Sequence, residues 1–133
     1  MSITIDGGAG ITFPDTVQQT NGMTNTGGNP KYYAVRAWVN FNGSGTVAIR
    51  AAVNVSSITD NATGNYTVNF TTAMPDANYV TVCTSARGDG GSTNAVLHVL
   101  ESGTYSTSAV QILNQASNGD NNDPEVACVA IFR

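Results

Sequence analysis

The chain has 133 residues, enough for one domain that buries a core of its own. Charged residues are 11% of it, against about 25% in an ordinary soluble protein, and the net charge is −4. The five basic residues are scattered, which excludes a basic patch for nucleic acid, and no apolar run approaches the ~20 residues of a bilayer-spanning helix.

Polarity comes instead from Asn, Thr, Ser and Gly. These short side chains suit strand surfaces and turns and are poor in helices. The expected class is all-β. No basic region followed by an apolar one opens the chain, so no signal peptide is expected.

Residues 1–30 differ from the rest. Ile3–Ile5 and Ile11–Phe13 are β-prone pieces broken by glycines, and Asn21–Pro30 is a Gly/Asn-rich linker by composition. So few large apolar residues cannot make a core. The segment is expected to be an extended arm for attachment or trimerisation, with Ile11, Phe13 and Pro14 as its contact residues; a frayed terminus is the alternative. Residues 31–133 are then the body.

The body opens with YYAVRAWVNFNGSGTVAIR, Tyr32 to Arg50. Tyr33, Val35, Ala37, Val39 and Phe41 alternate with Ala34, Arg36, Trp38 and Asn40, the period of a strand. Asn42-Gly43 predicts a hairpin turn, because both residues tolerate positive φ. Val53, Val55 and Ser57 predict a third strand, Asp60–Asn65 a turn, and Tyr66, Val68 and Phe70 the buried face of a fourth. Met74-Pro75-Asp76 ends that strand. Tyr79–Arg87 is the next, with Val80 and Val82 opposite Tyr79, Thr81 and Cys83. Asn94–Glu101 is an apolar run that suits a strand covered on both faces. Ser108–Gln115 places Val110 and Ile112 opposite Gln111 and Leu113, and Val126–Phe132 reads as a central strand. About eight short strands at regular spacing predict an antiparallel β-sandwich or jelly-roll-like body.

Candidate sites are few. His98 is the only histidine, with no partner at zinc spacing, so a buried, hydrogen-bonded role is expected; in a trimer, three copies could meet on the axis. Asp120, Asn122, Asp123 and Glu125 cluster in one loop but lack a calcium-loop pattern, which makes a solvated turn the expectation. No Gly-x-Ser-x-Gly occurs, and the acids offer no compelling pair. No enzyme activity, cofactor or metal is expected. Cys83 and Cys128 sit mid-strand in apolar contexts and read as buried free thiols, acting as small hydrophobes. Five Asn-x-Ser/Thr sequons, at Asn42, Asn54, Asn61, Asn65 and Asn69, follow from a composition rich in Asn and Thr. Trp38, Tyr32, Tyr33, Tyr79 and Tyr105 could stack on sugars or pack; packing is favoured for Trp38, while Tyr105 is the better contact candidate.

The phrase GITFPDTVQQT, Gly10–Thr20, resembles a segment of phage tail-fibre proteins, although the usual Gly after Asp15 is missing. AVRAWVNFNGSGTVAIR (34–50), NVSSITDNATGNYTVNFTTAMPDANYV (54–80) and VACVAIFR (126–133) resemble a C-terminal domain of marine and cyanobacterial phage fibres. The resemblance implies a virion structural protein, assembled in the host cytoplasm, that works as a homotrimeric receptor-binding module for host attachment. Its partners would be sister chains, other virion proteins and a host surface glycan or outer-membrane receptor. The weakly matching part, 82–124, is where host-facing loops are expected, with Asp89, Ser92, Tyr105, Asn118, Asp120 and Asn122 as candidate receptor contacts. Two other roles stay open: a capsid decoration protein, and a soluble carbohydrate-binding module.

Overall fold

A computed structural model describes residues 4–6, 10–12, 35–86, 95–100 and 103–133. The chain divides into two compact units, residues 1–34 with Arg133, and residues 35–132. In the first unit β1 (Thr4–Asp6) pairs antiparallel with β2 (Gly10–Thr12), with Ile5 opposite Ile11. Ile11 thus lies on β2, while Phe13 and Pro14 fall outside the described residues.

The second unit is all-β: eight strands form two four-stranded antiparallel sheets. The strands are β3 (Val35–Asn42), β4 (Ala48–Val53), β5 (Val55–Ala62) and β6 (Asn65–Phe70). They continue as β7 (Val80–Ala86), β8 (Ala95–Val99), β9 (Ala109–Ala116) and β10 (Val126–Phe132). One sheet has the order β4-β3-β10-β7 and the other β5-β6-β9-β8.

Alternation builds the core between the sheets. Ala37, Val39 and Phe41 of β3 and Ala127, Val129 and Ile131 of β10 point inward. They meet Tyr66, Val68 and Phe70 of β6, Val110 and Ile112 of β9, and Leu97 of β8. The Phe41 and Tyr66 rings pack edge to face, 5.2 Å apart at 71°. Phe70 and Tyr79 do the same at 5.8 Å.

Three expectations change. The β3–β4 hairpin forms as its sequence predicts, but in the loop over 43–47 the positive φ is at Gly45 (66°) and not at Asn42 or Gly43. Gly43 is required for another reason: a Cβ there would lie 2.7 Å from the Tyr66 hydroxyl. Asn42 shapes the loop by donating from Nδ2 to the carbonyls of Ser44 and Thr46. Second, the predicted third strand is two strands in different sheets, divided at Asn54. That residue has φ 55°, a conformation Asn tolerates better than most. Its amide donates to the Arg36 and Thr72 carbonyls at 3.1 Å each, and its Oδ1 accepts from the Thr72 amide at 2.7 Å. Third, β8 is an edge strand. Leu97 is buried but Val96 is 62% exposed, so the run is covered on one face only. β10 is central, as its sequence implies.

Candidate binding faces

The strands present two outward faces of opposite chemistry. On the β4-β3-β10-β7 sheet, register places Val53, Trp38, Ala130 and Val82 in one row across all four strands. Trp38 is 37%, Val53 50% and Val82 55% exposed. In the next row Phe132 pairs with Val80, itself 63% exposed. Along β10 the outward residues Cys128 and Ala130 are small, with Trp38 and Asn40 on one side and Val82 and Thr84 on the other. The result is a shallow trough of about 280 Å³. An apolar outer surface of this kind marks a place of contact.

Its valines follow from parity. Tyr79 is buried at the start of β7, and its hydroxyl donates toward the carbonyls of Ser106 and Ala109. With Tyr79 inside, period 2 turns Thr81, Cys83 and Ser85 inward and Val80 and Val82 outward. Ser85 is held inside by donating to Asn114 Oδ1 at 2.8 Å.

The outer face of β5-β6-β9 is built from amides and hydroxyls. Thr59, Thr67 and Gln111 form one row, and Ser57, Asn69 and Ala109 another. Asn69 Nδ2 donates to Ser57 Oγ at 3.1 Å and to Thr59 Oγ1 at 3.0 Å. Asn61 Nδ2 donates to Thr67 Oγ1 at 2.9 Å and Asn65 Oδ1 at 3.2 Å. Gln111 Nε2 donates to Asn65 Oδ1 at 2.7 Å. The five sequon asparagines therefore all carry structural hydrogen bonds.

Nearer the chain's closing strand, one polar network joins three loops. Tyr66 Oη lies 2.7 Å from Asp123 Oδ1 and 3.0 Å from the Gly43 carbonyl, within reach to donate to either. The Gly64 amide also donates to Asp123 Oδ1. Asn114, fully buried, donates from Nδ2 to the Asn122 carbonyl and to Asn122 Oδ1. Burial, then the Asp123 carboxylate, raises Tyr66 far above the ordinary phenol range. Burial also pushes Tyr79 to about 12 and the Cys83 thiol to about 11.

The expected contact residues fall at different places. Tyr105 stacks on Tyr79 at 4.4 Å, its hydroxyl donates to the Tyr79 carbonyl, and it bridges to Val110 near the start of β9. Asn118 and Asp120 sit in an exposed turn beyond the far end of β9, hydrogen-bonded to each other at 2.7 Å. Val110 and Ala116 are separated by roughly 20 Å along the strand, so these loops do not form one tip. Asn122 is half-buried in the network, and Asp89 and Ser92 lie outside the described residues. The turn over 116–124 is solvated, with Asp120, Asp123 and the following Glu125 exposed, and Asp123 also anchors it. His98 is not buried in the core: it is half-buried and faces outward on β8, with Nδ1 3.2 Å from the Val96 carbonyl.

Cys83 and Cys128 are both free as expected, but neither is fully buried; each is partly exposed. Cys83 pairs with Val129 and Cys128 with Thr84, which turns the thiols to opposite faces of the sheet. Among the described residues, no group of three His, Cys, Asp or Glu stands close enough to hold a metal.

No protein-family model and no curated protein matches the chain. Among solved structures, it is similar to the phiAB6 tailspike in complex with three-repeated oligosaccharides of Acinetobacter baumannii surface polysaccharide. The likeness covers 96% of this chain at TM-score 0.52 and 17% identity. It covers 26% of the tailspike, so this chain spans about a quarter of that protein's length. At that identity the likeness establishes the fold.

Proposed function

We propose that the protein is a virion component of a phage tail, a non-catalytic host-attachment module that works as a homotrimer. The observation that carries this reading is the apolar face of the β4-β3-β10-β7 sheet. The row Val53–Trp38–Ala130–Val82 exposes large apolar side chains that a solitary chain would leave in water. Copies meeting through that face remove them from water. Three copies also multiply weak contacts, worth about 10²- to 10⁴-fold in avidity.

The fold likeness to a tailspike solved with bacterial surface oligosaccharides supports a host polysaccharide as the target. Residues 1–34, a separate unit, would join the module to other virion proteins. The test is antibody labelling of intact virions. Label at the tail is the expected result. Label spread over the head would make this a decoration protein, and label on neither would overturn the virion reading.

A further inference from the structure

We infer that the outer face of β5-β6-β9 is a docking surface for an uncharged stretch of polysaccharide. This rests on the attachment reading above and adds where the ligand lies and what chemistry it has. By strand register the outward rows of these strands carry no Asp, Glu, Lys or Arg; the one acid on the strands, Asp60, is exposed but pairs with the inward-facing Tyr66. A partner with fixed charge would find no counter-charge there and would lose its hydration on docking. Within β5-β6-β9 a protein partner would find no exposed aromatic, arginine or large aliphatic anchor, because Leu113 is buried; the exposed Val96 stands on the edge strand β8, beside Gln115 and outside these three strands. A neutral polyol matches on both counts: it brings no charge, and its hydroxyls both donate and accept.

The face supplies both partners for it. The Ser57 and Thr59 hydroxyls accept from Asn69, and that of Thr67 accepts from Asn61, so their own hydrogens remain to donate outward. Asn61 and Asn69 spend their amide hydrogens on neighbours, which leaves each Oδ1 to accept. The amides are already fixed by these bonds. Engaging a ligand therefore immobilises few side chains, which lowers one of the costs of binding.

The test uses the full chain on an array of immobilised bacterial oligosaccharides, some built only from neutral hexoses and N-acetylhexosamines and some bearing uronic or sialic acids. Two variants disturb the face: Thr67→Arg adds bulk and charge, and Asn69→Asp adds charge at nearly constant shape. Ser44→Ala, in the exposed β3–β4 loop, is the control. The inference expects retention on neutral members, weakened at least tenfold by Thr67→Arg and by Asn69→Asp and unchanged by Ser44→Ala. It is overturned if no neutral member retains the protein, if only acidic members do, or if both face variants bind like the parent while melting within a few degrees of it. A lower mass in solution for Thr67→Arg would make this a contact between copies and would also overturn it. Tail labelling of virions without glycan retention would sink this inference alone; absent virion labelling would sink the attachment reading whatever the array shows.

Discussion

The two outward faces of the sandwich share one geometry and differ in everything else. Both are pleated antiparallel surfaces of four strands. One exposes Trp38, Val53, Val80 and Val82; the other, on its strands β5, β6 and β9, presents Thr59, Asn61, Asn65, Thr67, Asn69 and Gln111, linked by hydrogen bonds, and exposes a large apolar residue only at Val96 of its edge strand β8. Composition alone, poor in charge throughout, would give two similar faces. The difference shows that strand surfaces are assigned separately, one to leave water and one to stay in it.

That comparison can be broken from the inside outward. Phe41 lies fully buried between the sheets and packs on Tyr66, so it supports both faces at once. Phe41→Ala is expected to cost about 3–5 kcal/mol in urea unfolding, with both faces lost in a single transition. Asn54 is where the chain passes from one sheet to the other. Asn54→Val loses its three side-chain hydrogen bonds and places a β-branched residue at positive φ. A loss of about 2–3 kcal/mol is expected, and Asn54→Gly, which accepts the backbone, should lose less than half of that.

Asp123→Ala removes the acceptor shared by the Tyr66 hydroxyl and the Gly64 amide. A cost of about 2 kcal/mol is expected, with the secondary structure kept. The raised tyrosines and Cys83 fix the sign of the alkaline response. Their folded values lie above the unfolded ones, so their contribution is complete below about pH 9 and is lost as pH rises through 11 to 12. Thermal melts between pH 8 and 12 should show stability flat at first and then falling. A rise across that range would contradict the burial assigned to Tyr79 and Cys83.

The smallest effect compares the thiols. Cys128 faces the apolar trough and Cys83 the core. Under conditions that dissociate the protein, a thiol reagent should modify Cys128 faster; at high concentration, assembly should slow Cys128 toward the rate of Cys83. Equal rates for Cys128 in both conditions would mean that the trough stays open.

The sequence shows the all-β class, the central place of β10 and the inward set of β6, because strict alternation and turn residues act locally. It does not show which face of β7 is buried. Valine outside and Thr81, Cys83 and Ser85 inside reverse the usual preference, and the parity is set by Tyr79 and by Ser85 reaching Asn114, a contact 29 residues distant in the chain. Asn54 reads as one more polar residue in a strand, since only the folded state demands its φ. Asn114 and Asp123 were equally hidden: their partners lie on other strands and loops. The amide face was half visible, as sequons at alternate positions on β6, which mark a polar outward row without revealing its bonds.

The central claim is that copies of the chain meet through the apolar face. Sedimentation of the full chain at tens of micromolar tests it most directly, beside Val82→Arg on that face and Thr67→Arg on the other. The expected result is three times the chain mass for the parent and for Thr67→Arg, and a single chain mass for Val82→Arg. A monomeric parent, or a Val82→Arg protein that assembles as the parent does, would contradict it.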